Sequence, residues 1–213
     1  MGVSLTQLIP IRELTPGAVG AIRNSVIKSV VERAAREMNM PESKLVVRDI
    51  RPWADLQMCA QTVGTAKTVE TWTYAVTSAA VGYESILSGS AGTAANSADQ
   101  RYMALFGIRD LRAGMGTHVT ATVSYPEYTS SAIFPPICSL LRISVGGANK
   151  VIWDTRSLAG YKDALVAFAP SAVVIPQNTS YQIEIYKNRA TGGNVNIQLI
   201  GVVVEPRGKL VAP

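Results

Sequence analysis

Ile137-Cys138-Ser139-Leu140-Leu141-Arg142-Ile143-Ser144-Val145 is followed by Gly146-Gly147-Ala148-Asn149 and then by Lys150-Val151-Ile152-Trp153-Asp154-Thr155. Two apolar, β-branched runs flank a cluster of residues that tolerate positive φ, and that is the grammar of a β-hairpin. The pattern recurs downstream, where Ser180–Asn188 and Asn194–Glu205 flank Arg189-Ala190-Thr191-Gly192-Gly193. These runs read as four C-terminal strands in two hairpins.

Working back from there, Thr117–Tyr125 sets Val119, Ala121, Val123 and Tyr125 against His118, Thr120, Thr122 and Ser124. That alternation suits a half-buried strand. Asp99–Arg109 carries Tyr102, Ala104, Phe106 and Ile108, with the strand placed at Tyr102–Ile108. Thr68–Val76 puts Glu70, Trp72, Tyr74 and Val76 on one face, and Lys44–Arg51 alternates weakly before Pro52. The count reaches about eight, with further short strands near Gln57–Val63 and Ala172–Ile175. Eight antiparallel strands in two sheets is the jelly-roll number. Between them, Ser85–Gln100 is rich in Ser, Gly, Ala, Thr and Asn and reads as a long surface loop.

The N-terminal part has a different texture. Thr15-Pro16 is a helix start, with Thr15 as the cap and Pro16 at the first helical position. Val19, Ile22, Val26, Val30 and Ala34 recur at spacings of three and four as far as Met38, and Asn39 and Pro41 end the helix. This stripe rests either on the chain's own sheet or on a second subunit. Before it, Val3, Leu5, Leu8, Ile9, Ile11 and Leu14 make an apolar arm that must dock on its own domain or on a neighbour. The expected fold is mainly β: an antiparallel β-sandwich or jelly roll with one long N-terminal amphipathic α-helix. Residues 1–43 form the arm and helix, and residues 44–213 form the β-sandwich domain.

Asp, Glu, Lys and Arg make up 16% of the 213 residues, against about 25% in an average globular chain. Interface centres are depleted in Lys, Glu and Asp, so a surface this neutral suits contact with other protein. The net charge of +5 is modest and its basic residues are scattered, which gives no specific nucleic-acid site. No run of about 20 apolar residues spans a membrane, and Met1–Thr6 does not resemble a secretory signal, which points to a cytoplasm.

One His and two Cys, Cys59 and Cys138, cannot build a zinc site; the pair is either one bridge or two free thiols, with buried inert thiols the favoured expectation. His118 lies on a Thr-rich face with no nucleophile elbow nearby. Asp49 with Asp55, and Glu184 with Glu205, are carboxylate pairs with nothing in the sequence to bring them together. Trp53, Trp72 and Trp153 suit core packing more than a sugar platform. Asn178-Thr179-Ser180 reads as a turn entering a strand. No catalytic, cofactor-binding or metal-binding residues are assigned, no cofactor is expected, and the chain is read as not an enzyme.

Phe168-Ala169-Pro170-Ser171-Ala172-Val173-Val174-Ile175-Pro176-Gln177-Asn178-Thr179-Ser180-Tyr181-Gln182-Ile183-Glu184-Ile185-Tyr186, leading to Ile197–Pro206, resembles the closing strands of jelly-roll structural proteins of double-stranded DNA viruses. The resemblance covers about 40 residues and implies a subunit of a symmetric particle, with a terminal arm tying subunits together; the long helix departs from the plain jelly roll. The expected function is a structural subunit, a capsid or capsid-associated protein of a virion assembled in the host cytoplasm. Its partners are copies of itself and other structural proteins of the particle. The candidate subunit interface is Val3, Leu5, Leu8, Ile9, Ile11, Leu14, Val19, Ile22, Val26 and Val30. The alternative is a ligand- or carbohydrate-binding β-sandwich module. A third reading, an enzyme using dispersed carboxylates, lacks a constellation to carry it.

Overall fold

The computed structural model describes residues 3–51, 55–56, 73–76, 81–85, 95–110, 138–147, 149–155, 166–187 and 193–208. Its strands are β1 (Val3–Gln7), β2 (Ile9–Pro10), β3 (Leu45–Asp49), β4 (Thr73–Val76), β5 (Gly82–Ser85) and β6 (Ala95–Asn96), followed by β7 (Tyr102–Asp110), β8 (Cys138–Val145), β9 (Asn149–Asp154), β10 (Val166–Ile175), β11 (Ser180–Lys187) and β12 (Gly193–Pro206). Between β2 and β3 runs the helix α1 (Pro16–Glu37). The strands expected at Thr117–Tyr125 and Gln57–Val63, and the first part of Thr68–Val76, lie outside the described residues.

The first hairpin forms as read: β8 and β9 pair antiparallel, with Val145 opposite Asn149 and Leu141 opposite Trp153. Gly146 and Gly147 turn between them at φ 63 and 72, where a side chain would clash with its own backbone. The second hairpin does not form. β11 pairs with β8 and β5 in one sheet, whereas β12 pairs with β7, β3 and β4 in the other. The physical reason is visible in the side chains. In β12, Val202, Val203 and Val204 are all buried, so that strand needs a layer on both faces. In β11 only alternate residues, Tyr181, Ile183 and Ile185, join the core between the sheets.

The first sheet runs β1-β9-β8-β11-β5 and the second β2-β10-β7-β12-β3, with β6 added beside β11 and β4 beside β12. Without the arm strands and those two short pieces, eight strands remain in the orders β9-β8-β11-β5 and β10-β7-β12-β3. Most successive strands switch sheets, which is the eight-strand, two-sheet plan of a jelly roll. β10 begins at Val166, well before the expected Ala172, because its register shifts between Phe168 and Val173 and so carries Pro170 without ending the strand. In β12 the corresponding shift falls at Ile200 and Gly201, and a Cβ on Gly201 would collide with the Ala104 carbonyl and the Ile50 side chain.

Helix α1 starts as the sequence indicates. The Thr15 hydroxyl accepts from the Ala18 N–H at 3.3 Å, Pro16 follows, and Asn39 beyond the last turn takes φ 51. Val30 and Ala34 are buried against Tyr102, Ala104, Phe106, Phe168, Val202 and Val204 on the outer face of the second sheet. Of the two resting places open to the stripe, the helix takes the chain's own sheet, giving three layers: helix, second sheet, first sheet. Each fully buried valine there stabilises the packing by about 1.5–3 kcal/mol. The last turn is pinned as well: the Glu37 carboxylate accepts from the Tyr102 hydroxyl and, at 2.7 Å, from Arg33 Nε. Those two donors hold the Glu37 carboxyl below its ordinary pKa, while burial and that carboxylate push the Tyr102 phenol up.

Candidate functional site

A two-sheet sandwich has two open sides, and this chain closes them by different means. On one side the arm crosses from sheet to sheet. β1 lies parallel to β9, β2 lies antiparallel to β10, and Leu8 between them is 1% exposed within the inter-sheet core. The arm therefore docks on its own domain, and its apolar residues are split between burial and exposure.

On the other side the closure is ionic. Arg48 on β3 lies opposite Val203 and so points between the sheets, as do Glu205 near the end of β12 and Arg101 just before β7. Arg48 grips Asp55 with two bonds, at 2.6 and 2.7 Å, and reaches Glu205 at 2.8 Å. Arg101 contacts Asp55 at 3.2 Å and Glu205 at 3.3 Å. The Asp55 side chain is 0% exposed and that of Glu205 3%. Asp55 also accepts from the Arg51 N–H at 2.7 Å, and its own carbonyl accepts from the Tyr181 hydroxyl of the opposite sheet at 3.3 Å. The Asp55 and Glu205 carboxylates drive the Arg48 guanidinium further toward its charged form against the opposing cost of burial, and burial first, then Asp55, pushes the Tyr181 phenol up. Two carboxylates meet here, but both are held by guanidinium groups. That arrangement suits fastening more than proton transfer.

The outer face of the first sheet carries a second constellation. Arg142 on β8 pairs with Glu184 on β11 through two bonds at 2.6 and 2.7 Å, and its guanidinium lies 3.6 Å from the Tyr83 ring centre. Tyr83 meets Tyr186 edge to face at 5.1 Å. Of the two carboxylate pairs considered from sequence, neither survives as drawn. Asp55 and Glu205 share partners, Asp49 turns outward to Arg23 at 3.2 Å, and Glu184 belongs to Arg142.

The ten residues read as an interface are distributed as follows. Val30 and Leu8 are buried within the chain, and Leu14, Val19, Ile22 and Val26 pack against the helix–sheet core. Ile9 is half-buried in β2. Leu5 and Ile11 remain on the surface, 61% and 40% exposed, and Val3 lies in β1. The exposed apolar surface of the arm thus centres on β1 and the turn after β2. Trp153 is fully buried between the sheets, Asn178 sits in the turn between β10 and β11 at φ 52, and its amide donates to Asp99 at 3.0 Å. Cys138 lies in β8, whereas Cys59, His118, Trp53 and Trp72 fall outside the described residues.

Sequence reasoning missed the ionic quartet, although a signal for it exists. Arg48 ends Leu45-Val46-Val47-Arg48 and Glu205 ends Val202-Val203-Val204-Glu205, so each is a charge at an inward position of an apolar strand. Compared with models of known protein families and with the sequences of characterised proteins, the chain matches none. Among the described residues no helix is long and apolar enough to cross a membrane.

Proposed function

We propose that this chain is a non-enzymatic structural subunit that associates with copies of itself into a symmetric particle, the shell or a shell-associated layer of a virion. The observation that carries the reading is the jelly-roll order of the strands together with a terminal arm that extends both sheets on one side. A low charge content, 16% of all residues, supports it, as do the exposed apolar residues Leu5, Ile11 and Val81. The resemblance of residues 168–206 to jelly-roll structural proteins of double-stranded DNA viruses belongs to the same proposal, as does location in a virion. Light scattering on the full chain after size-exclusion chromatography tests it: a discrete multiple of the 22.7 kDa subunit is expected, with rotational symmetry on imaging. A monomer at all concentrations overturns it.

One observation favours a second reading. Tyr83, Tyr186 and Arg142 form an aromatic and cationic patch on the outer face of the first sheet, the kind of surface on which sugar rings stack. A monomer that binds glycans, and loses them on Tyr83→Ala, supports the carbohydrate-binding module instead.

A further inference from the structure

Edges decide whether a sheet can grow, because an edge strand carries a row of free backbone N–H and C=O groups. Among the described residues the sheets end in β1 and β2 on the arm side and in β5 and β3 on the other, with the short β6 and β4 added beside β11 and β12. β2 and β6 are two residues long, β4 and β5 are four, and β2 closes on Pro10, which has no N–H. β3 has five residues but carries Arg48 and Asp49, both ion-paired. Shortness, proline and charge are the means by which proteins keep an edge from recruiting another strand.

β1 has none of them. Val3-Ser4-Leu5-Thr6-Gln7 is as long as β3, without charge and without proline, and Leu5 is 61% exposed. On one side β1 pairs with β9 residue for residue, from Val3 opposite Lys150 to Gln7 opposite Asp154, and no described strand lies on the other. An open groove of about 530 Å³ adjoins its second half, lined by residues 5–9, Glu13 and Pro170.

We infer that β1 is a seam between two copies of this chain, which pair antiparallel through their β1 strands about a two-fold axis and so join their first sheets into one. The inference rests on the reading of the chain as a self-assembling subunit and names where it assembles. The segment is complementary to itself. Pairing centred on Leu5 sets Leu5 opposite Leu5, Ser4 opposite Thr6 and Val3 opposite Gln7, and no like charges meet, as a symmetric contact requires. Antiparallel pairing about a dyad also closes on itself, whereas a head-to-tail contact would propagate.

Cross-linking tests the seam directly. Directly opposed residues on antiparallel strands have Cβ atoms about 4.5–5.5 Å apart, close enough for a disulfide to form after a small adjustment. In a chain with Cys59→Ser and Cys138→Ser, Leu5→Cys should yield covalent dimers under mild oxidation far faster than Ser25→Cys, on the exposed face of α1. In the otherwise native chain, Leu5→Lys sets two like charges face to face and should weaken dimerisation about tenfold with an unchanged circular dichroism spectrum. Equal cross-linking rates at positions 5 and 25, or a Leu5→Lys chain that dimerises like the native one, overturns the inference. If particles still form in that case, the subunit reading stands without the seam; if the native chain is monomeric throughout, both fall.

Discussion

The two open sides of the sandwich face the same problem, the gap between sheets through which water would reach the core, and they solve it with opposite chemistry. The arm side uses one buried leucine, Leu8, and two added strands. The far side uses Arg48, Arg101, Asp55 and Glu205, four charges whose attraction must offset their own desolvation. An apolar closure fails gradually when trimmed. An ionic one fails abruptly, since removing one member leaves the buried charges unbalanced. The ionic side also supplies inward-pointing charges on an edge strand, which discourages pairing there, while the arm side leaves β1 without such protection.

The largest effect should come from Asp55→Ala, which leaves both arginines facing Glu205 alone. A loss of about 3–5 kcal/mol in denaturant unfolding is expected, and a loss under about 1 kcal/mol would show that the quartet fastens nothing. Leu8→Ala comes next, at about 2–5 kcal/mol, set by how far the two sheets can collapse onto the missing volume. If Leu8→Ala proves neutral, the arm is an ornament on a sandwich already closed.

The smallest effect, and the one that separates the two sides most sharply, is alkaline. Burial raises the Tyr181 phenol above its ordinary 10, with Asp55 adding to the shift, so it is neutral in the fold. A raised phenol contributes stability that is fully present below pH 10 and declines as the pH climbs through the folded value. Phenolate absorbance should therefore show Tyr181 and Tyr102 ionising only as the chain unfolds, after the exposed tyrosines. Tyr181→Phe should flatten the alkaline decline, whereas Leu8→Ala should lower the curve without changing its slope. Titration of both phenols at pH 10 in the folded chain would remove the distinction.

Much of the fold was legible because local rules carried it. The Gly146-Gly147 turn, the Thr15 cap with Pro16, and the strands at 45–49, 102–110, 180–187 and 193–206 follow from residues close together in sequence. What local rules do not encode is which strand meets which. The glycines at 192 and 193 signal a reversal, but the destination of β12 is decided by its need for cover on both faces. Pro170 concealed the first half of β10, since a proline is tolerated only where the register slips. The site was less legible than the fold. Arg48 and Glu205 lie 157 residues apart, and no spacing rule reaches that far. The residues read as an interface are of two kinds: Val30, marked by helical periodicity, is buried within the chain, while Leu5 of the apolar arm stays exposed.

The length of β12 has a consequence for how the molecule comes into being. This one strand binds β4 through residues 193–196, β7 along its middle and β3 through residues 202–206. β3 and the helix above it precede the described neighbour of β3 by more than 140 residues of chain. Closing so distant a contact costs chain entropy before any contact repays it, which makes such pairing slow. The contact between β3 and β12 is therefore expected to form later than the local β8–β9 hairpin.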